Sequence, residues 1–169
     1  MIHRENELLS QEDIKFLFDL YRNSPNIVKE EDRTVDRHIA STVGHFVISS
    51  FTNEEFQPIW GKILDRLSTS LGRQLDLVAV RILRYSKTCF IPSHVDTDGE
   101  NTDILNSVSL ILQLNDSSEY IGGAMIVSNS IIRLNVGDAV MYTYDHLHEV
   151  KPVKSGVRYV LNLRFNLVK

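Results

Sequence analysis

The chain has 169 residues, 43% of them apolar and 24% charged, which is long enough and apolar enough for one domain with a sizeable core. A single cysteine, Cys89, excludes an internal disulfide and a sulfur-rich metal site, so any metal must be held by His, Asp or Glu. The formal net charge of -4 provides no broad positive field for gripping phosphate backbones, which weighs against nucleic acid as a partner.

The first 13 residues, MIHRENELLSQED, carry charges where a secretory signal would need an apolar stretch. No apolar run in the chain reaches the roughly 20 residues that span a bilayer, so we expect a cytoplasmic protein without membrane contact. Ser10 and the acids that follow it are typical of a helix N-cap, and apolar residues then recur at helical spacing as far as Tyr21. This pattern predicts a helix over 11–22.

Residues 24–42 mix charged and polar residues with a proline and show no clean period, which favours a loop over a core element. Whether this segment is a lid or a solvated connection stays open. Beyond it, Thr52 and Glu55 have the spacing of a capping box, and a helical stripe of apolar residues follows until Gly72 stops it. A second helix is therefore predicted between Thr52 and Gly72.

After Gly72 the pattern changes to that of strands. Short segments rich in β-branched and aromatic residues are separated by turn-like clusters; they are DLVAVRILRY, SVSLILQLN, AMIVS, DAVMYTY and VRYVLNLRF. Helices followed by closely spaced strands predict an α+β fold in which the helices support a sheet sandwich or jelly roll. We expect a single domain over 1–169, with helical support over 1–72 and the jelly-roll core over 75–166.

His94 and Asp96 are two residues apart, so on extended backbone both side chains point to one side and can chelate one metal. Alone this pair is a weak signal in a chain with 6 histidines and many acids. Downstream, His148 ends a predicted strand, a Pro/Gly turn follows, and Arg158 opens the next strand. Two histidines and one carboxylate leave three metal positions open, as non-haem Fe(II) oxygenases require, whereas a structural zinc site is closed by four ligands.

Other motifs occur in a fixed order around these residues. A strand with Tyr85 precedes His-x-Asp, a strand ending in Leu-Asn and the pair Gly122-Gly123 follow, and VGDAVMY leads to the distal histidine. Over 78–165 the chain resembles the 2-oxoglutarate/Fe(II) dioxygenases, most closely their prolyl-4-hydroxylase-like branch. The glycine pair is equally typical of a plain turn or bulge, so we assign it no chemistry.

The resemblance implies a double-stranded β-helix with helices outside the larger sheet and a catalytic iron near one mouth. It implies His94, Asp96 and His148 as the ligands of Fe(II), and Arg158 as the residue whose planar guanidinium binds the far carboxylate of 2-oxoglutarate. The further cosubstrate contacts that it implies are Tyr85, Ser109 and Gln113, although many members have an aromatic residue where this chain has Gln113. Strand alternation places Asn162 and Arg164 on the same face as Arg158, as candidate substrate contacts.

His146 also lies two residues from His148, and on extended backbone both would face the same way. We favour His148 as the distal ligand because the run that leads to Arg158 is in the family's register only from that position. His146 is then a residue beside the ligands or on the substrate side, or a strand-end histidine in solvent. The solvent position is the expected one.

The resemblance implies hydroxylation of a prolyl or other side chain of a protein or peptide, or of a free amino acid or small molecule, using Fe(II), 2-oxoglutarate and O2 and releasing succinate and CO2. Two alternatives stay open. Arg158 and Arg164 also satisfy the Arg-x5-Arg pattern of AlkB-type nucleic-acid demethylases. A cupin-like binding module without catalysis would keep the jelly roll alone. The sequence does not predict the oligomeric state.

Overall fold

A computed structural model describes residues 1–23, 28–30, 47–50, 53–96 and 105–168. The helices in these ranges are α1 (Gln11–Asn23) and α2 (Asn53–Leu71). The strands are β1 (Ile2–Glu5), β2 (Val28–Glu30), β3 (Val47–Ser50), β4 (Gln74–Tyr85), β5 (Ile91–His94), β6 (Ser107–Gln113), β7 (Tyr120–Gly122), β8 (Met125–Val127), β9 (Ser130–Ile132), β10 (Ala139–Thr143), β11 (His148–Val150), β12 (Val153–Gly156) and β13 (Arg158–Val168). Neither described helix combines the length and apolar character needed to cross a membrane.

The strands form antiparallel sheets, and the two larger ones enclose a core. The larger sheet has the order β1-β10-β6-β13-β4-β3-β2, the smaller one has the order β5-β11-β8-β9, and β12 pairs with β7. One hydrophobic cluster joins residues of both sheets, for example Val160 and Tyr142 from the larger sheet with Val127 and Val150 from the smaller one. The predicted α+β jelly roll, a double-stranded β-helix supported by helices, is confirmed.

Helix α1 begins where the sequence predicts and ends one residue later. The backbone N–H and the hydroxyl of Ser10 both donate to Asp13 Oδ2, at 3.1 and 2.8 Å, and Asp13 N donates back to Ser10 Oγ. This reciprocal pair satisfies donors that the first turn of a helix leaves without partners. Lys62 of α2 donates to the other carboxylate oxygen of Asp13, so the cap also joins the two helices.

Helix α2 covers the outer face of the larger sheet. Ile63 and Leu67 are fully buried at helical spacing and belong to one cluster with Leu161 and Leu163 of β13. The helix ends before Gly72, which has a φ of +61°, so the predicted stop is confirmed as a left-handed cap. The predicted capping box lies outside the described part of the chain, because Thr52 and the side chain of Glu55 are not described.

The five predicted strand segments correspond to β4, β6, β8, β10 and β13. The prediction of a loop over 24–42 is wrong at 28–30, where the short strand β2 pairs with β3 at the edge of the larger sheet. The rest of that segment, and with it the question of a lid, lies outside the described residues. Strand β1, which adds to the opposite edge of this sheet beside β10, was also not predicted from the sequence.

Strand β13 alternates as predicted. Leu161, Leu163 and Phe165 are fully buried in the cluster beneath the helices, whereas Val160 belongs to the core between the sheets. The register of β13 with its two neighbours places Arg158 opposite Tyr85 of β4, and places other residues of the same face opposite β6. The candidate site therefore lies inside the jelly roll, away from the helices.

Candidate metal and cosubstrate site

His94, Asp96 and His148 converge at one point between the sheets. Strands β5 and β11 are antiparallel neighbours in which His94 and His148 are register partners, and Asp96 follows β5 by two residues. Asp96 Oδ1 lies 3.7 Å from His94 Nε2 and 3.9 Å from His148 Nε2, and one possible ligand atom from each residue lies within 4.8 Å of the others. This spacing allows all three residues to bind one metal ion.

Backbone carbonyl groups orient both imidazole rings. His94 Nδ1 lies 2.8 Å from the carbonyl oxygen of Pro92, and His148 Nδ1 lies 3.0 Å from that of His146. Because a carbonyl oxygen can only accept a hydrogen bond, each Nδ1 carries a proton. Each Nε2 is thereby directed at the shared centre, as in protein metal sites whose histidines are held by a carbonyl behind them.

Asp96 is held in its ionised form. Ser109 Oγ donates to Oδ2 at 2.5 Å and Arg164 Nη2 donates to Oδ1 at 3.1 Å. Burial alone would raise the pKa of Asp96, but the neighbouring His94, the charge of Arg164 and the Ser109 donor together hold it far below its usual range. The centre therefore contains a permanent negative charge at neutral pH, which a divalent cation can neutralise.

The two histidines differ in their protonation. Burial lowers the pKa of His148 below its ordinary value, and this effect outweighs the nearby charge of Asp96. Burial is the largest single effect on His94 and acts to lower its pKa, but Asp96 and the backbone carbonyl of Pro92 together raise it by more, so the net shift is upward. His148 is thus neutral at physiological pH, while a proton at His94 is the competitor of a metal ion.

His146 does not face this centre. Residues 144–147 form a turn and not an extended strand, so the two histidines do not share a side. The ring of His146 lies 2.8 Å from Ser128 Oγ through Nδ1 and 3.0 Å from the amino group of Met1 through Nε2. His146 is thus a partly exposed histidine, with a side chain that is 21% exposed and hydrogen bonded, and its backbone carbonyl holds His148.

Arg158 lies in the same interior, close to Tyr85 and Gln113. The residue is 4% exposed, its guanidinium carbon is 5.8 Å from the centre of the Tyr85 ring, and its Nε donates to Gln113 Oε1 at 3.2 Å. Its buried Nη1 has no hydrogen-bond partner within the described ranges. Since buried donors are nearly always hydrogen bonded, Arg158 Nη1 is suited to donate to an anionic ligand bound in this interior.

Burial raises the pKa of Tyr85 well above its usual range, despite the opposing charge of Arg158. The phenol beside Arg158 is therefore neutral. Ser109 was predicted beside the cosubstrate, and the structure places its hydroxyl on Asp96. The donor set as a whole, two imidazoles and a carboxylate with open positions next to a buried guanidinium, fits Fe(II) together with a chelating 2-oxo acid.

The two candidate substrate contacts on β13 differ in their surroundings. Arg164 donates to Asp96, and its guanidinium carbon lies 5.5 Å from the centre of the Tyr144 ring. Asn162 is 8% exposed and lies between Arg158 and Arg164 on the same face of the strand. Both residues therefore lie in the interior that contains the three-residue cluster.

Two aromatic residues of the site were not predicted from the sequence. Tyr142 is fully buried, with its ring centre 4.7 Å from that of His148, and Tyr144 lies beneath Arg164. A signal for them was present, because alternation along β10 puts every second residue on the cavity side and Tyr142 is the register partner of Ser109. These rings form part of the wall around the metal centre.

The family model of the 2OG-Fe(II) oxygenase superfamily matches residues 80–166, which is about half of the chain and includes every candidate site residue. The chain belongs to this superfamily. The proteins to which it is similar include PKHD-type hydroxylases and prolyl hydroxylases. Membership implies Fe(II), 2-oxoglutarate and O2 as cofactor and cosubstrates.

Relatives and solved structures agree with this assignment. A PKHD-type hydroxylase of Delftia acidovorans is 30% identical over 117 residues, which cover 61% of this chain and 52% of the relative, so the chain spans about half the length of that protein. A 2OG-Fe(II) oxygenase family oxidoreductase from Burkholderia pseudomallei has a TM-score of 0.77 at 15% identity, covering 98% of this chain and 84% of that one. The viral collagen prolyl hydroxylase of Paramecium bursaria Chlorella virus 1, solved with 2-oxoglutarate, has a TM-score of 0.70 at 16% identity, covering 99% and 96%. The structural likenesses show the shared jelly-roll fold.

Proposed function

We propose that this protein is an Fe(II)- and 2-oxoglutarate-dependent hydroxylase in which His94, Asp96 and His148 hold the iron and Arg158 holds the distal carboxylate of 2-oxoglutarate. The observation that carries the proposal is the buried Nη1 of Arg158, which has no partner among the described residues and shares one interior with a three-residue metal cluster. A jelly-roll module that bound neither a metal nor an anion would leave the buried cation and the three-residue cluster without a ligand. Bound Fe(II), together with 2-oxoglutarate and O2, supplies the oxidising power for inserting oxygen into a C–H bond, with release of succinate and CO2.

Different residues of the chain hold the metal, orient the cosubstrate and exclude water. Two Nε2 atoms and one permanently ionised carboxylate would hold the metal through three positions and would leave three for cosubstrate and O2. Arg158 orients the cosubstrate through charge-assisted hydrogen bonds, and the neutral phenol of Tyr85 adds a neighbouring donor. Tyr142 and the apolar core between the sheets exclude water from the protein side of the centre.

The substrate that we propose is a prolyl or other side chain of a protein or peptide, with a free amino acid or small molecule second. The names of the viral collagen prolyl hydroxylase and of a prolyl hydroxylase solved with a peptide fragment support a peptide substrate. The formal net charge of -4 does not favour nucleic acid. Arg164 completes an Arg-x5-Arg pattern, but its contact with Asp96 ties it to the metal centre. We further propose that 1–169 forms one oxygenase domain, with helical support over 1–72 and the core over 75–166.

Anaerobic titration of the Fe(II)-loaded protein with 2-oxoglutarate tests the proposal through the visible metal-to-ligand charge-transfer band. We expect a saturable band in the wild type and a band that needs at least tenfold more 2-oxoglutarate in Arg158→Met. Ser107→Ala serves as the control, because it removes the 3.0 Å hydrogen bond from Ser107 to Asn166 between the same two strands, β6 and β13, away from Arg158. A wild-type protein that binds Fe(II) but gives no band would overturn the proposal.

A further inference from the structure

Gln113 is the direct partner of Arg158 and ends strand β6 in the core. We propose that Gln113 is a positioning residue, which fixes the edge of the Arg158 guanidinium that receives the distal carboxylate of 2-oxoglutarate. This inference rests on the function proposed above and adds to it a residue that determines which 2-oxo acids bind well. Gln113 is 2% exposed, so its amide must satisfy its hydrogen bonds inside the protein.

The amide of Gln113 has one allowed orientation. Its Nε2 donates to the carbonyl oxygen of Asn115 at 2.9 Å, which leaves Oε1 directed at Arg158 Nε. Turning the amide over would place two donors against each other at Arg158 and two acceptors against each other at Asn115. The acceptor beside Arg158 is therefore fixed by a contact on the far side of the same side chain.

Asn115 is in turn anchored to the backbone on both sides of Arg158. Its Nδ2 donates to the carbonyl oxygen of Val157 at 2.8 Å, and its Oδ1 accepts from the backbone N–H of Tyr159, also at 2.8 Å. The residue before and the residue after Arg158 thus contact the side chain that orients Gln113. One network sets the backbone position of Arg158 and the rotation of its guanidinium.

The network leaves one edge of the guanidinium for a ligand. A guanidinium can hold a carboxylate with two parallel hydrogen bonds either through an edge that includes Nε or through its two Nη groups. Gln113 occupies Nε, and Nη1 is the buried group without a partner within the described ranges. The guanidinium carbon lies over the ring of Tyr85, 5.8 Å from the ring centre. A distal carboxylate is therefore received end-on, by the Nη edge.

The test compares two 2-oxo acids that share the metal-chelating end. 2-Oxoglutarate carries the distal carboxylate, and 2-oxopentanoate has a methyl group in its place. Gln113→Met keeps the length of the side chain and removes the acceptor. In anaerobic titrations followed by the charge-transfer band, we expect this variant to bind 2-oxoglutarate about tenfold more weakly, the effect of one hydrogen bond to a charged group, and 2-oxopentanoate unchanged.

A double-mutant cycle isolates the route through Arg158. Adding Gln113→Met to Arg158→Met should weaken 2-oxoglutarate binding no further, because Gln113 then has no guanidinium to orient. Ser107→Ala is the matched control on β6 and should bind both acids as the wild type does. Circular dichroism of each metal-free variant checks that the fold is retained.

The outcomes separate this inference from the function on which it rests. If the wild type binds neither 2-oxo acid, the proposed function fails. If the wild type binds 2-oxoglutarate and Gln113→Met binds it equally tightly, the positioning role is wrong and the function stands. Equal weakening of both acids in Gln113→Met would also overturn the positioning role, because the effect would then lie at the metal-chelating end.

Discussion

His94 and His148 face each other across two antiparallel strands, with ring centres 4.2 Å apart. Their pairing is a property of the register between β5 and β11, which are separated by more than fifty residues of sequence. The same register leaves Asp96 just beyond β5, where it reaches both Nε2 atoms. The metal centre thus depends on a strand pairing as well as on the His-x-Asp spacing.

The choice between the two neighbouring histidines gives the first prediction. Mn(II) serves as an air-stable substitute for Fe(II). Because His148→Ala removes a ligand atom, the affinity of this variant for Mn(II) should fall by more than about 100-fold. That loss exceeds the one typical of residues that only orient a ligand. His146→Ala keeps the backbone carbonyl that holds His148 and should bind Mn(II) within a few fold of the wild type. Isothermal titration calorimetry measures both. Loss of binding in His146→Ala alone would show that the assigned distal ligand is wrong.

Ser109 gives the second prediction, because its hydroxyl fixes the carboxylate of Asp96. Ser109→Ala should bind Mn(II) roughly 10- to 100-fold more weakly. His94, Arg164 and His148 still hold the pKa of Asp96 below its usual range in this variant, so the loss comes from the orientation of the carboxylate and not from its charge. Ser107→Ala, two residues earlier on β6, is the control and should retain the wild-type affinity. Equal affinities for Ser109→Ala and Ser107→Ala would contradict the role of Ser109.

Much of the fold follows from periodicity in the sequence. The apolar stripes of α1 and α2 are strong because each helix buries a single face, and β13 alternates because its apolar face packs beneath the helices while its more polar face lies in the interior with the site. Strand β1, Ile-His-Arg-Glu, has no such alternation, since it lies at a sheet edge and is held by its pairing with β10. Strand β2 likewise lies at a sheet edge within a polar segment, and it is held by its pairing with β3. Edge strands of this kind are determined by a neighbouring strand and leave little trace in their own residues.

For the site, local motifs were sufficient to predict which residues come together but not how they interact. His94, Asp96, His148 and Arg158 lie in one interior, as their spacing and the family resemblance predicted. The hydrogen bonds to Asp96 and Arg158 depend on the register of β6 against β13, which no local pattern encodes. The turn before His148 was not predicted, and because of it His146 does not lie on extended backbone beside His148.

Asp13 gives a prediction about stability and pH. It is buried, caps α1 with Ser10 and accepts from Lys62 of α2, whereas Asp19 of the same helix is half exposed and lies 3.9 Å from Arg22. Asp13→Ala should lower the free energy of unfolding by about 1–2 kcal/mol at pH 7. Asp19→Ala should change it by less than about 0.5 kcal/mol, because exposed ion pairs contribute little.

The pH dependence of the stabilisation by Asp13 has a defined sign. Burial alone would raise the pKa of Asp13, but the hydrogen bonds from Lys62 and Ser10 lower it below its ordinary value. The stabilisation by the Asp13 charge is therefore fully present above the unfolded-state pKa of about 3.9 and is lost as the pH falls through the lower folded-state value. Urea unfolding at pH 7 and pH 2 should show the gap between wild type and Asp13→Ala narrowing at the lower pH. An unchanged gap would exclude the charge as its source.

A comparison of Gly156 with Gly72 separates two costs of a substitution to alanine, the strain of a left-handed backbone and the steric clash with a neighbouring backbone atom. Both have positive φ, +73° and +61°, so alanine at either position should cost roughly 1–2 kcal/mol for the conformation alone. A Cβ at Gly72 would meet nothing within 4 Å, whereas at Gly156 it would lie 2.0 Å from the backbone oxygen of Glu119 on the neighbouring chain segment. Gly156→Ala must therefore displace the backbone just before Arg158, adding a further cost of about 1–3 kcal/mol.

Urea unfolding of the two alanine variants checks the stability difference, with Gly156→Ala expected to be clearly the less stable. The displacement should also reach the cosubstrate site, because Gly156 is two residues from Arg158 and ends β12 against β7. We expect Gly156→Ala to need several-fold more 2-oxoglutarate to saturate the charge-transfer band, while Gly72→Ala saturates as the wild type does. Equal stability losses in the two variants would mean that β12 can move away from β7 at little cost in free energy. The close approach at Gly156 would then not hold Arg158 in place.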